Sequence, residues 1–85
     1  MYYVYVLKGK DDRLYIGYTK DLRKRVELHN SKKVFSTARR GPMKLVYYEA
    51  YTNQQDATGR EKKLKEFKSS YSQLKKRISA SLREV

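Results

Sequence analysis

The 85-residue chain carries 21 Lys and Arg against 9 Asp and Glu, a formal charge of +12, and no cysteine. That length holds one domain, residues 1–85, with one modest core, because a chain this short buries only about 60% of its extended-chain surface. The missing cysteines exclude a disulfide scaffold, a thiolate metal site and a thiol nucleophile, while the charge calls for a polyanionic partner, with an inert basic surface as the alternative.

Leu, Ile, Val and Phe number only 18, so the nine tyrosines must supply core. Tyr2 to Leu7 is rich in Val and Tyr and reads as a strand. Gly9, Asp11 and Asp12 offer turn chemistry before a second strand from Leu14 to Tyr18. In the resulting hairpin the even positions Val4, Val6, Leu14 and Ile16 are all aliphatic. Pairing Val6 with Leu14 and Val4 with Ile16 gathers them on one face and sets Tyr5 opposite Tyr15 and Tyr3 opposite Gly17. Met1 to Leu7 is too short for a signal peptide and no apolar run approaches a membrane span, so the expectation is a cytoplasmic protein.

Asp21 is suited to cap a helix running to about Asn30, with Leu22 and Val26 stacked one turn apart and Arg25 and His29 beside them. Ser31 to Pro42 is polar and basic and reads as a loop containing Thr37, Arg39 and Arg40. Lys44 to Tyr51 alternates as a third strand. Thr52 and Gln55 then form a capping-box pattern for a helix to about Phe67, whose apolar stripe of Ala57 and Leu64 is interrupted by Glu61. A last basic helix, about 70–83, spaces Tyr71, Leu74, Ile78 and Leu82 three and four apart.

Tyr5, Tyr15, Arg25, His29 and Glu61 thus occupy positions where packing alone prefers apolar groups. Singly, each has a structural explanation: tyrosines pack half-buried, Arg25 snorkels, His29 serves as a cation at a helix C-terminus, and Glu61 pairs with a lysine one turn away. Jointly they are the parts of phosphodiester hydrolysis, namely a metal carboxylate, a cation for phosphate charge and proton-transferring groups.

At these residues the sequence resembles a known family. Tyr3-Val4-Tyr5, then Tyr15-Ile16-Gly17, then Asp21 to Arg25 look like the GIY-YIG nuclease domain found in the excision nuclease UvrC and in homing endonucleases. Arg39-Arg40-Gly41-Pro42 leading into Lys44, and Arg60-Glu61 leading into Leu64, resemble its small single-domain UvrC-like (URI domain) bacterial endonucleases. The resemblance covers roughly residues 2 to 68. It departs at Tyr3, which stands where the family has glycine, and at Val4, which replaces isoleucine.

The resemblance implies an α+β domain with a small three-stranded antiparallel sheet, order β-β-α-β-α-α, the first strand central. It implies a divalent-metal-dependent endonuclease acting on DNA, in repair or recombination, with a binding-only module for DNA or RNA as the alternative. Tyr5, Tyr15, Arg25 and His29 would be catalytic, Gly17 a motif glycine, and Glu61 the ligand of Mg²⁺ or Mn²⁺ bound only with substrate. Lys8, Arg23, Lys24, Arg39, Arg40 and Lys65 would hold the nucleic-acid backbone without reading sequence. No membrane or small-molecule cofactor is expected. The general base is left open: the resemblance favours Tyr5, while intrinsic pKa favours His29. A third class, an anion-binding scaffold or protein-interaction domain, is compatible with charge alone.

Overall fold

The computed structural model describes residues 1–31, Val34, Thr37, Ala38 and residues 41–83. The apolar run at the start of the chain forms β1 (Tyr2–Lys8), in which Val4, Tyr5, Val6 and Leu7 are at most 1% exposed. Burial at both parities requires cover on both faces of the strand, and β1 is indeed central. Strands β2 (Leu14–Thr19) and β3 (Lys44–Tyr51) pair with it antiparallel in the order β2-β1-β3. The expected class, sheet and central strand are all present.

Helix α1 (Leu22–Asn30) follows β2; α2 (Gln54–Glu66), α3 (Lys68–Arg77) and α4 (Ser79–Arg83) follow β3. The even residues Val4, Val6 and Ile16 pack with Ala57 and Leu64 of α2 and with Leu74 and Ile78 beyond it. On the other face Tyr5 and Leu7 pack with Met43, Tyr15 and Leu45, and with Leu22 and Val26 of α1. A bulge in the β1–β3 ladder leaves Val46 between the pairs Val6–Tyr47 and Leu7–Leu45. It lets Val46 and Tyr47 both serve the first cluster while Leu45 serves the second.

The hairpin register differs from expectation by two residues. Val6 faces Ile16, Tyr5 faces Gly17, and Tyr15 faces Leu7. Tyr3 lies between Thr19 and Ala50, not over Gly17, and its ring meets Tyr48 edge-on. A shift of two keeps every side chain on its face, so the aliphatic pattern is satisfied by either register. The turn and one glycine decide. Asp12 adopts φ 62° in a loop closed by Gly9 N–H to Arg13 O and Asp12 N–H to Gly9 O. At Gly17 a Cβ would collide with Oη and Cζ of Tyr5.

Asp21 caps α1 as expected, its carboxylate accepting from Lys24 N at 3.1 Å. The cap of α2 is Asn53, accepting from Gln55 N at 2.8 Å, and not Thr52: the extended backbone persists to Asn53 (φ −110°, ψ 130°), so the helix starts one residue later. The expected single last helix is two. Phe67 is an extended joint between α2 and α3, and Ile78 (φ −106°, ψ 23°) bends the chain into α4, although Ile78 N–H still reaches Leu74 O. Among the described residues no helix is long and apolar enough to cross a membrane.

Candidate active site

Tyr5 sits at the middle of the central strand, on the face that α1 covers. Its ring fits there because Gly17, directly opposite, leaves the space empty. From α1, His29 reaches down beside Leu22 and Val26 and is 1% exposed. Its Nε2 lies 2.9 Å from Tyr5 Oη, and Arg25, one turn earlier, points Nε at the same oxygen at 3.4 Å. Tyr15 packs edge-on against His29 with ring centroids 4.7 Å apart and stands 6.3 Å from the Tyr5 ring. Four residues named from sequence, on three elements, therefore meet at one place.

The electrostatics follow from this packing. Burial pushes the Tyr5 phenol above its ordinary range; the Arg25 hydrogen bond opposes that rise, and the neighbouring Tyr15 and Glu61 charges add to it. Burial, assisted by the Arg25 charge, holds His29 below its ordinary value and so neutral. The hydrogen bond to Tyr5 in turn raises Arg25, which stays cationic. The resting centre is a neutral phenol and a neutral imidazole beside a guanidinium.

Glu61 is on α2, which packs on the opposite face of the sheet, and its link to the other four is the charge it adds near Tyr5. Its side chain is 23% exposed and its Oε2 is 3.0 Å from Lys65 Nζ, the i,i+4 pairing that helix geometry favours. Of the basic residues expected to hold a backbone, Arg23 and Lys24 are exposed on α1 and Lys65 is half-exposed. Lys8 is engaged within the fold, donating to Leu82 O at 2.7 Å and lying 3.2 Å from Asp12. Arg39 and Arg40 lie outside the described residues.

Two groups escaped the sequence reading. Thr37, in the segment after α1, is fully buried with its Oγ1 2.7 Å from His29 Nδ1. A histidine on an apolar helix face needs a partner for its second nitrogen, but Ser31, Ser36 and Thr37 were all available in sequence. Glu49 on β3 accepts from Tyr47 at 2.7 Å, Tyr51 at 2.5 Å and Arg60 Nε at 3.0 Å. Its shared parity with Tyr47 and Tyr51 was a readable signal. This cluster faces α2 and α3, on the opposite side of the sheet from Tyr5, beside a cleft of about 510 Å³ that Arg77 also lines.

The GIY-YIG catalytic domain family model matches residues 1–78. A UPF0213 protein of Clostridium perfringens is 48% identical over 62 residues, covering 72% of this chain and 67% of that protein. A Streptococcus pneumoniae UPF0213 protein is 42% identical over 64 residues, covering 74% of this chain and 65% of its own length, so the chain spans about two thirds of these relatives. The solution structure of a UPF0213 protein from Bacillus halodurans is similar with a TM-score of 0.57 at 36% identity, over 87% of this chain and 82% of that one.

Proposed function

The chain belongs to the GIY-YIG catalytic domain family, and from that premise we propose that it is a divalent-metal-dependent endonuclease hydrolysing phosphodiester bonds in DNA. The observation that carries this reading is the hydrogen-bonded set on Tyr5 Oη, with a donor-only guanidinium on one side and an imidazole nitrogen on the other. Tyr5 is fully buried, so a water reaches its oxygen only when something moves. The long 3.4 Å bond from Arg25 is the weakest tie. A substrate phosphate draws Arg25 to itself, and the phenolic oxygen is uncovered.

Hydrolysis then proceeds by linked proton transfers. The attacking water gives a proton to Tyr5 Oη while Tyr5 passes its own to His29 Nε2. The water oxygen bonds to phosphorus, the P–O ester bond breaks, and the departing oxygen takes a proton from solvent. A raised phenol excludes a resting tyrosinate, which is why the proton must be relayed. Arg25 serves twice: it offsets charge developing on the phosphate, and with its charge paired to the phosphate it no longer adds to the burial that opposes proton uptake by His29. The half-buried Tyr15 steadies the imidazole edge-on.

Among the described residues no three His, Asp or Glu side chains form a metal cage. A lone Glu61 suits an ion such as Mg²⁺ that keeps most of its waters and completes its shell from a phosphate. Glu61 would hold that ion, which when bound neutralises phosphate charge and orients water. Lys65 must first leave the carboxylate, and the same phosphate attracts it.

The experiment is nicking of supercoiled plasmid and branched DNA with Mg²⁺ or Mn²⁺ and with chelator. Metal-dependent nicks are expected. Glu61→Gln should abolish them with binding nearly intact, and cutting close to wild type by that variant would show that the metal is held elsewhere. A second reading, a binding module for DNA or RNA whose cutting is conditional, draws on the covered Tyr5 oxygen and the Lys65-engaged Glu61. Tight binding without nicks on any substrate would select it.

A further inference from the structure

The relay through His29 works only if its Nε2 carries no proton in the resting protein. Which ring nitrogen is protonated is set by the partners of both, and among the described residues the donors and acceptors favour one direction. At one end stands Arg25, which has hydrogens to give and no lone pair to offer. At the other stands the carbonyl of Val34, which can only accept. It receives Thr37 N–H at 3.1 Å and Thr37 Oγ1 at 3.5 Å. Between them lie three groups, Tyr5, His29 and Thr37, each with one proton to place and each at most 1% exposed.

Run in one direction, every proton has an acceptor. Arg25 Nε–H donates to Tyr5 Oη, Tyr5 O–H to His29 Nε2, His29 Nδ1–H to Thr37 Oγ1, and Thr37 O–H to Val34 O. Run in the other, Thr37 donates to Nδ1 and Nε2–H donates to Tyr5. The phenolic proton of Tyr5 is then left facing two donors in a buried site, and the Val34 carbonyl loses the hydroxyl. The first direction satisfies all members of the chain and the second does not.

We propose that Thr37 is a positioning residue for the reaction: its hydroxyl accepts from Nδ1, holds His29 as the Nδ1–H tautomer, and so keeps Nε2 open for the Tyr5 proton. This rests on the nuclease reading above for its consequence, but not for its first measurement. Nothing about the loop sequence requires a threonine for packing alone, since valine has the same shape. The hydroxyl is what the imidazole uses. Among the described residues, Tyr15 and Arg25 are the other groups that face the ring, the first by its edge and the second by its charge, and Nδ1 meets Thr37.

His29 is the chain's single histidine, so a two-bond proton–nitrogen correlation spectrum of the whole protein reports its tautomer without ambiguity. The wild type should give an unprotonated Nε2 and a protonated Nδ1; the opposite pattern overturns the proposal outright, with no variant needed. Thr37→Val should shift the ring toward the Nε2–H tautomer and lower the single-turnover cutting rate roughly ten- to a hundredfold, the range for outer partners that orient a histidine. DNA affinity should be unchanged. Thr37→Ser, which restores the hydroxyl, should restore both tautomer and rate. A Thr37→Val protein that keeps Nδ1–H, or a rate that falls with no change of tautomer, overturns the role. Should Thr37→Val fail to fold, Thr37→Ala, which removes the same hydroxyl without added bulk, is read by the same spectrum and rate, and the same outcomes decide. A wild type that holds Nδ1–H yet cuts no DNA sinks the nuclease reading while leaving the tautomer assignment supported.

Discussion

Gly17 and Tyr5 form one unit, because the phenol ring occupies the volume that any side chain at position 17 would need. A methyl group there has no soft neighbour to displace; the ring it meets is pinned by His29 and Arg25. Gly17→Ala should therefore push the Tyr5 hydroxyl off His29, costing about 1–3 kcal/mol of stability as overpacking does, and most of the activity. Tyr5→Phe is the complementary change, since it keeps the ring and removes only the oxygen. It should lower single-turnover cleavage by at least about a hundredfold, the lower end of acid–base contributions, with a loss of about 1–3 kcal/mol of stability as His29 and Arg25 lose their shared partner. His29→Ala removes the acceptor of the Tyr5 proton and should lower cleavage to a similar degree; an effect much smaller than that of Tyr5→Phe would show that the phenol proton leaves by another route. If instead Tyr5→Phe cuts nearly normally, His29→Ala is dead and activity titrates near the ordinary histidine value of about 6.5, the imidazole is itself the base.

At the scale of elements, the edge strand β3 is tied to α2 by a carboxylate. Burial alone would push Glu49 up, but hydrogen bonds from Arg60, Tyr51 and Tyr47 outweigh it and hold the carboxyl below its ordinary 4.5. In the same cluster burial and the Glu49 carboxylate push the Tyr51 phenol up to about 12. The lowered carboxyl means that the folded state resists protonation where the unfolded chain accepts it. The tie thus contributes fully above pH 4.5 and is lost as pH falls through the folded value. Glu49→Gln should cost about 1–2 kcal/mol at neutral pH, discounted because Arg60 remains partly in water. The gap in melting temperature between variant and wild type should close in acid. A gap that persists unchanged at pH 3 would mean that shape, not charge, holds this edge. The cluster faces away from Tyr5, so cutting should survive at neutral pH wherever the fold does.

For the whole molecule, a charge of +12 on 85 residues is self-repulsion that a polyanion relieves. The exposed cations Arg23 and Lys24 lie on α1, which also carries Arg25 and His29, and Lys65 lies on α2 with Glu61. Binding to DNA without metal should weaken linearly in log K against log salt, as several counterions are released. Affinity indifferent to salt, or absent at low salt, would remove the electrostatic argument and with it the route by which a phosphate reaches Arg25. The same phosphate is asked to loosen two ties, Arg25 from Tyr5 and Lys65 from Glu61. In the proposed reaction the centre is covered at rest and assembled by its substrate.

What could be read from the chain alone was what short-range physics decides. The two faces of the sheet follow from residue parity, the start of α1 from Asp21, the limits of β3 from its alternation, and the nearness of Arg25 and His29 from helical spacing. What needed the tertiary structure was every choice that short-range patterns leave equal. Two registers of the hairpin put the same aliphatics inward, and only the Asp12 turn and the fit of Tyr5 over Gly17 separate them. Asn53 and Thr52 both make good caps, and the end of the strand selects one. Thr37 finds His29, and Lys8 finds the last turn of α4, across loops whose path no local pattern encodes. Parity and capping act over one or two turns of chain, whereas a hydrogen-bond partner for a buried group is chosen by whichever element packing brings within 3 Å.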